Sequence, residues 1–272
     1  MKTLVIDITK CNGCHNCQIA CKDEHVGNDW TPYAKPQPLT GQFWTKVMDV
    51  TRGTVPKVKV SYLHSICQHC EDAPCMPACP QKAIYRREDG IVIIDPEKCA
   101  GSRNCVAACP YEVIYFNRSL NIAQKCTFCA HLLDQGWKEP RCVDVCPTGA
   151  RTFGDEDQLK ELIEKAETLL PERKTKPRVY YIGLPKRFIA GALFDSKKDE
   201  CVGGAKITVM DEGTGEKCYA LSDDFGDFWI EGLQVSTFSL SIEKEGYHSQ
   251  TIPSVKTEQD VNLGDIELKS KI

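Results

Sequence analysis

The spacing of the cysteines is the feature that most constrains the fold of this chain. Fifteen of its 17 cysteines lie between Cys11 and Cys146. They form four groups of four positions, and three of the groups are followed by proline. In chain order the groups are Cys11, Cys14, Cys17 and Cys21; Cys67, Cys70, Cys75 and Cys79; Cys99, Ser102, Cys105 and Cys109; and Cys126, Cys129, Cys142 and Cys146.

This spacing indicates iron–sulfur clusters. The first group reads C-x2-C-x2-C-x3-C, which is typical of ferredoxin-type sites. Three closely spaced thiolates can wrap one face of a cubane, while the fourth leads towards a neighbouring cluster. A proline after the fourth position fixes φ and donates no N–H. A single C-x2-C would also suit zinc or a thiol redox pair, but four repeats of a four-ligand pattern favour iron and sulfur.

The ligand sets follow from the order of the groups. Two short strands, Ala83–Arg86 and Ile91–Ile94, are predicted around a turn at Asp89-Gly90, which makes the second and third groups one two-cluster unit. By elimination, the first and fourth groups make the other unit. Because the last cysteine of a group ligates the other cluster of its pair, the predicted sets are Cys11, Cys14 and Cys17 with Cys146; Cys126, Cys129 and Cys142 with Cys21; Cys67, Cys70 and Cys75 with Cys109; and Cys99 and Cys105 with Cys79 and, at the fourth corner, Ser102.

Ser102 is the one gap in the pattern. A serine hydroxyl is a harder and less acidic ligand than a thiol, so it holds a fourth iron less firmly. A [3Fe-4S] cluster is therefore expected beside three [4Fe-4S] clusters. A serinate-ligated [4Fe-4S] cluster and an empty site are the alternatives, but the persistence of Cys79, Cys99 and Cys105 favours an occupied site.

The remainder of the sequence contains no pattern for bond chemistry. The net charge of −4 and the pI of about 5.9 do not indicate nucleic-acid binding. The sequence has no apolar run of the roughly 18 residues that span a bilayer. The start MKTLVIDITK predicts a strand and leaves no room for a signal peptide before the first cysteine. Nucleotide-binding and hydrolase motifs are absent, and His15 and His69 are expected to pack or hydrogen-bond rather than to ligate. We therefore expect a non-catalytic electron-transfer chain.

Two domains are predicted, in an α+β fold. Residues 1–187 form a ferredoxin-like domain with two pseudo-repeated two-cluster units, including a helix over 155–170 and a solvated charged linker over 171–178. An insertion between Gln18 and Ser65 carries aromatic residues that form either a small core or a docking surface. Residues 188–272 alternate apolar and polar residues over five to seven short strands, which predicts an all-β sandwich with Cys201 and Cys218 as unpaired thiols.

Two motifs in the fourth group carry a family resemblance. QKCTFCAHLLDQG (Gln124–Gly136) and RCVDVCPTGA (Arg141–Ala150) resemble the iron–sulfur β-subunits of the dimethyl sulfoxide reductase family of molybdenum or tungsten bis-pterin oxidoreductases. This resemblance implies a large catalytic partner that alone holds the pterin. It also implies that the cluster of Cys11, Cys14, Cys17 and Cys146 faces the pterin, and that the Ser102 cluster is [3Fe-4S], as in relatives without cysteine at that position.

Further segments narrow the resemblance. CKDEHVGNDW, CQHCEDAPC and KPRVYYI are similar to the transhydroxylase branch of that family, which acts on polyhydroxylated aromatics and has an appended β-sandwich of the transthyretin or carboxypeptidase-regulatory type. That branch lacks the third-group cluster, whereas its ligands persist here, which favours a hydroxylase or dehydroxylase exchanging electrons with a further redox donor or acceptor. A reductase of inorganic oxyanions or sulfur compounds and a free-standing polyferredoxin are the alternatives. The expected location is the cytoplasm, or outside it if a twin-arginine partner exports the folded chain.

Overall fold

The computed structural model describes residues 1–271, which fold into two compact units. The first unit contains Met1–Val50 and Ser61–Leu184, and the second contains Thr51–Val60 and the chain from Pro185 onwards. The predicted division between residues 187 and 188 stays a prediction, and the structure assigns the short segment Thr51–Val60 to the second unit.

The first unit is built on a three-stranded sheet and three hairpins. Strand β1 (Lys2–Asp7) is central, with β8 (Arg151–Asp155) antiparallel on one side and β9 (Val179–Ile182) parallel on the other. Leu4 and Ile6 of β1 are fully buried in the core. The hairpin predicted between the second and third cysteine groups is confirmed as β4–β5. The strands are β1 Lys2–Asp7, β2 Thr45–Thr54, β3 Lys57–Ile66, β4 Ile84–Arg86, β5 Val92–Ile94, β6 Tyr115–Asn117, β7 Ile122–Gln124, β8 Arg151–Asp155 and β9 Val179–Ile182.

The helices of this unit are short, and four of them belong to the cysteine groups. They are α1 Asn16–His25, α2 Asn104–Ala108, α3 Ala130–Asp134, α4 Arg141–Asp144 and α5 Lys160–Ile163. The first four contain a cysteine of their group or directly follow one. Among the helices of residues 1–271, none is long and apolar enough to cross a membrane.

The aromatic residues of the insertion contribute to the main core of the first unit. Trp44 is 1% exposed and belongs to the same cluster as Leu4. Trp30 and Tyr33 pack against that cluster, and Phe43 is half-buried, with the Lys22 ammonium 4.9 Å from its ring centre. Of the two interpretations, the packing role is the one that these contacts support.

The predicted helix over residues 155–170 is wrong in its length. A 3-10 turn at Glu156–Leu159 leads into α5, which ends at Ile163. Glu167 instead exchanges two backbone hydrogen bonds of 2.8 Å with Tyr181 of β9. This pairing with a strand remote in sequence replaces the local hydrogen bonds that a helix would need, and apolar periodicity does not reveal it.

The segment 171–178 is largely exposed, as its composition predicts, but it is anchored to the first unit at some of its residues. Thr175 is 3% exposed, and its hydroxyl lies 2.6 Å from that of Tyr111. The backbone N–H of Glu71 donates to the carbonyl of Lys176 at 2.9 Å. Hydrogen bonds therefore hold this charged segment against the loop of the second cysteine group.

The second unit is the predicted β-sandwich. Its two four-stranded sheets have the order β11-β10-β14, with β17 also paired to β10, and β13-β12-β15-β16. Leu193, Ile207 and Leu240 are fully buried in its core. Among the described residues of this unit, up to residue 271, the strands number eight rather than five to seven: β10 Arg187–Asp195, β11 Glu200–Cys201, β12 Lys206–Asp211, β13 Lys217–Leu221, β14 Asp227–Leu233, β15 Thr237–Glu243, β16 Gln250–Lys256 and β17 Val261–Glu267. Cys201 and Cys218 are exposed and form no disulfide.

Ion pairs hold the tip of the β2–β3 hairpin within the second unit. Arg52 donates to Asp260 at 3.1 Å, and the Asp260 side chain is only 4% exposed. Lys57 pairs with Asp227. A positive φ of +88° at Gly53 forms the turn region, where an added Cβ would lie 2.3 Å from the carbonyl oxygen of Lys57. The base of the hairpin thus belongs to the first unit and its tip to the second.

Candidate metal centre

The cysteines of the first unit gather into four sets of neighbouring thiols. Within each set, the pKa of at least one thiol is raised by other thiols of the same set, which shows that they are close together. The sets are site 1 (Cys11, Cys14, Cys17 and Cys146), site 2 (Cys21, Cys126, Cys129 and Cys142), site 3 (Cys67, Cys70, Cys75 and Cys109) and site 4 (Cys79, Cys99 and Cys105).

Sites 1 and 2 combine cysteines that are more than 100 residues apart in sequence. Burial raises the pKa of the Cys11 thiol, and the neighbouring thiols of Cys14 and Cys146 act in the same direction. The pKa of Cys129 is raised well above its usual value. Burial is the main cause, and the other three thiols of site 2 act in the same direction. The first and fourth cysteine groups therefore meet in space.

Sites 3 and 4 combine the second and third groups. Burial raises the pKa of Cys70 and of Cys75 to about 12, and the thiols of Cys67 and Cys109 raise both. Burial raises the pKa of Cys105 to about 11, and the other two thiols of site 4 act in the same direction. Each of the four groups therefore contributes its last cysteine to the site of the group with which it is paired.

The four sites form a series. Cys142 of site 2 raises the pKa of Cys17 in site 1, and Cys67 of site 3 raises the pKa of Cys126 in site 2, so the two thiols of each pair are close together. Sites 3 and 4 are joined along the backbone, since both the second and the third group contribute to each of them. The order through the molecule is therefore 1, 2, 3, 4.

The two ends of this series are more exposed than its middle. Cys14 of site 1 is exposed, and so is Ser102 beside site 4. All four thiols of site 2 are buried, as are three of the four in site 3. Solvent and partner surfaces thus reach the outer sites more readily than the inner ones.

The loops that hold Cys14 and Ser102 share one backbone geometry. Their sequences are CNGCHNC and CAGSRNC, and a helix begins at the asparagine in both. The value of φ is +72° at Gly13 and +75° at Gly101, and the next left-handed residues are His15 at 58° and Arg103 at 62°. Ser102 therefore stands where the first group has its second cysteine.

The other two cysteine loops share a second geometry. Both contain a C-x2-C turn whose third residue is left-handed, with φ of 44° at His69 and 50° at Phe128. The rings of these two residues stack with centroids 3.8 Å apart. The second and fourth groups therefore resemble one another locally, as the first and third do.

A buried guanidinium lies beside sites 1 and 2. Arg151, at the start of β8, is 3% exposed, and its Nη2 donates to Thr45 Oγ1 at 2.8 Å. Nη2 and Nε approach His64 Nδ1 at 2.6 and 3.2 Å. His64 Nε2 in turn lies 3.2 Å from the sulfur of Cys11. Burial, and after it the charge of Arg151, lower the pKa of His64 to about 3.

Several buried donors point to a group that accepts hydrogen bonds. His69 Nδ1 accepts from the Val92 N–H at 3.1 Å, so its proton is on Nε2. Within residues 1–271, Nε2 of His69 and Nη1 of Arg151 have no hydrogen-bond partner although both are buried. His69 also lines a small cavity together with the four thiols of site 3. A cluster sulfide supplies the acceptor that this cavity lacks, so the residues present fit an iron–sulfur group.

Backbone amides near the thiols complete the same environment. N–H groups donate to cysteine sulfurs of sites 2 and 4 at 3.3 to 3.4 Å: Ala83 to Cys79, Ala123 to Cys99 and Phe128 to Cys126. Amide hydrogen bonds to sulfur are one of the means by which a protein adjusts a cluster's potential.

The thiols are not arranged around single points. Within residues 1–271, no three His, Cys, Asp or Glu side chains converge in the way that one bound ion requires. A tetrahedral zinc ion holds its thiolates at about 2.3 Å, whereas each thiolate of a cubane binds a separate iron.

Sequence reasoning missed His64 and Arg151. Neither residue has a spacing in the sequence that links it to a cysteine group. Their positions depend on pairing between strands: Arg151 lies opposite Ile6 of β1, and His64 lies on β3. A single sequence carries no signal for such a contact.

Comparison with family models agrees with this architecture. Residues 58–156 match the 4Fe-4S dicluster domain, and residues 189–269 match the carboxypeptidase regulatory-like domain. The first match covers sites 3 and 4 and most of site 2. The second covers nearly all of the sandwich.

Comparison with individual proteins identifies the family of the whole chain. The chain belongs to the family of iron–sulfur electron-transfer subunits that accompany oxidoreductases of the dimethyl sulfoxide reductase type. It is 38% identical to the pyrogallol hydroxytransferase small subunit of Pelobacter acidigallici, over 97% of this chain and 98% of that protein. It is 36% identical to a tetrathionate reductase subunit of Salmonella typhimurium, over 68% and 74% of the two chains. The arsenate respiratory reductase iron–sulfur subunit of Shewanella is 34% identical, over 66% and 94%.

Proposed function

We propose that this chain relays electrons to or from a molybdenum or tungsten bis-pterin catalytic subunit through four iron–sulfur clusters. The observation that carries the proposal is the series of four thiol sets within one unit, in the order 1, 2, 3, 4. A single cluster could serve storage or sensing, but a series of neighbouring sites suits transfer from one end to the other. The clusters supply the redox chemistry, and the chain supplies ligands, burial and hydrogen bonds.

The ligand sets are those of the four sites. Sites 1, 2 and 3 each have four thiols and hold [4Fe-4S] clusters. Site 4 has three thiols with Ser102 at its fourth corner, and holds [3Fe-4S] in preference to [4Fe-4S]. The shared loop geometry of Cys14 and Ser102 supports this assignment, because it places the serine at a ligand position. It also supports two pseudo-repeated units within a domain of residues 1–187, followed by the sandwich of residues 188–272.

The exposure of the two outer sites indicates which end of the series faces the catalytic subunit. Site 1, with the exposed Cys14, faces the pterin of the catalytic subunit, as the family resemblance implies. Site 4, with the exposed Ser102, lies at the opposite end of the series and exchanges electrons with a further donor or acceptor. We place the complex in the cytoplasm.

The substrates of the complex are polyhydroxylated aromatics. This assignment rests on the similarity to a pyrogallol hydroxytransferase subunit, which extends over 97% of this chain and so includes the sandwich. The similarity to tetrathionate and arsenate reductase subunits favours a second candidate class, sulfur compounds and oxyanions. Those similarities cover about two thirds of this chain.

Anaerobic purification of the untagged protein from its native source tests this proposal. We expect a large chain to co-elute with about one molybdenum or tungsten per complex. The substrate class is assigned by adding a hydroxylated aromatic to the complex. Reduction of oxidised clusters, or oxidation of reduced clusters as the aromatic loses a hydroxyl group, would identify it as a substrate. Tetrathionate and arsenate serve as controls. A lone 30.4 kDa chain with iron and no partner would contradict the proposal and indicate a polyferredoxin.

A further inference from the structure

The contacts between Arg151, His64 and Cys11 form a directed chain of hydrogen bonds. A guanidinium has five N–H donors, accepts no hydrogen bond and stays protonated. Nδ1 of His64 therefore accepts from Arg151 at 2.6 Å and carries no proton. The imidazole is consequently neutral, its proton is on Nε2, and the 3.2 Å contact runs from Nε2–H to the sulfur of Cys11.

The chain is held rigidly and shielded from water. Arg151 and His64 are both 3% exposed, and Thr45, which accepts from Nη2 of Arg151, is 1% exposed. The three residues lie on β8, β3 and β2. In such a setting neither the imidazole nor the guanidinium can turn to another partner without leaving a buried polar group unsatisfied.

In the described part of the chain, no carboxylate is among the main groups that act on the pKa of Arg151: burial lowers this pKa, and the neighbouring thiols of Cys142 in site 2 and Cys17 in site 1 raise it. A buried cation without a counter-ion is costly. Negatively charged clusters bound at these two sites would be counter-ions for it.

We propose that Arg151 and His64 form a tuning pair that raises the reduction potential of the cluster at site 1. His64 acts directly, by donating to a ligand sulfur, and this hydrogen bond strengthens as the cluster gains an electron. Arg151 acts as a positioning residue by fixing the tautomer of His64, and its charge favours the reduced state of the clusters at sites 1 and 2. The pair thereby makes site 1, where the relay meets its catalytic partner, a better electron acceptor than its four thiolates alone would make it.

The inference rests on the proposed function, because it requires a cluster at site 1. The experiment uses the anaerobically purified complex with ¹⁵N-labelled histidine. The signal of reduced site 1 is identified by its change in the variant Cys14→Ser. Pulsed EPR of the wild-type complex should show coupling of this signal to a histidine nitrogen, and His64→Leu should abolish that coupling. A loaded site 1 without histidine coupling in the wild type overturns the inference while leaving the proposed function intact, whereas a site without iron overturns the proposed function.

Redox titration then measures the effect on potential. In His64→Leu, the ratio of reduced to oxidised site 1 at a fixed potential should fall about tenfold, which corresponds to about 59 mV for a one-electron couple. His64→Gln, which keeps an N–H donor, should recover part of the shift. Arg151→Gln should shift sites 1 and 2 together. His248→Leu is the matched control, since His248 is exposed and lies in the second unit. If the reduction potential of site 1 is unchanged in His64→Leu, the inference is overturned, whatever potential is measured in Arg151→Gln.

Discussion

Ser102 is the residue whose replacement gives the clearest test of site 4. It stands where the first group has Cys14, and its loop already has the backbone geometry of a ligand loop. Ser102→Cys should therefore convert [3Fe-4S] into [4Fe-4S], because the added thiolate binds a fourth iron. Iron should rise by about one per chain, and the EPR signal of the oxidised protein should disappear, since oxidised [3Fe-4S] is paramagnetic and oxidised [4Fe-4S] is not.

The control for this variant is Ser119→Cys, which adds an exposed thiol outside the ligand loops. It should change neither the iron content nor the spectrum. An oxidised-state signal that persists unchanged in Ser102→Cys would contradict a [3Fe-4S] cluster at site 4.

Replacement of Cys14 by serine should have the opposite effect on iron content and on the EPR spectrum. If its loop and that of Ser102 are equivalent, Cys14→Ser reproduces at site 1 what the natural sequence has at site 4. We expect a second oxidised-state EPR signal and a loss of about one iron per chain. Cys218→Ser, which removes an exposed thiol of the second unit, is the comparison. An oxidised spectrum identical to that of the wild type would show that the two loops do not bind clusters in the same way.

At the scale of elements, the β2–β3 hairpin contributes to the stability of the sandwich. Its Arg52 pairs with Asp260, which is 4% exposed and also accepts from the Phe188 N–H at 3.1 Å. Arg52→Met should lower the free energy of unfolding of the sandwich by about 2 to 4 kcal/mol, because it leaves a buried carboxylate without its cation. Urea unfolding of the full chain, followed by hydrogen exchange in residues 188–271, measures the change.

Lys59→Met is the matched control on the same hairpin. Its partner Glu231 is 56% exposed, so this pair contributes only about 0 to 1 kcal/mol. Equal effects of the two substitutions would argue against a specific role for the buried pair.

The elements also show what the sequence could and could not predict. Cysteine spacing predicted which thiols lie close together because ferredoxin-type groups share their last cysteine with a paired group, and alternating residues predicted the sandwich strands such as β12 and β14. That these thiols ligate clusters stays a prediction. The helix over 155–170 failed because Glu167 pairs with Tyr181, a contact that no local pattern records. His64 and Arg151 were missed for the same reason, since the strands that bring them to site 1 are remote from one another in sequence.

At the scale of the whole molecule, the two units should differ in their dependence on iron. The core of the first unit includes cysteines of the sites, such as Cys17, Cys67 and Cys126, whereas the core of the second is purely side-chain packing around residues such as Leu193. Oxidative removal of the clusters with a chelator present should therefore unfold the first unit, because the freed thiols leave buried cavities. The sandwich should keep its own structure.

Hydrogen exchange before and after chelation distinguishes the two units. Protection should be lost in β1, β8 and β9 and retained in β10, β12 and β15. Loss of protection in both units to the same extent would mean that the sandwich depends on the clusters for its stability.

The most direct test of a four-cluster relay is the iron and acid-labile sulfide content of the anaerobically isolated protein, expressed per copy of this chain. Three [4Fe-4S] clusters and one [3Fe-4S] cluster predict about 15 irons and about 16 sulfides, and a serine-ligated [4Fe-4S] cluster at site 4 predicts about 16 of each. A content near 12 irons would show that site 4 is empty, which would end the series at site 3. A content of only a few irons would contradict the relay altogether.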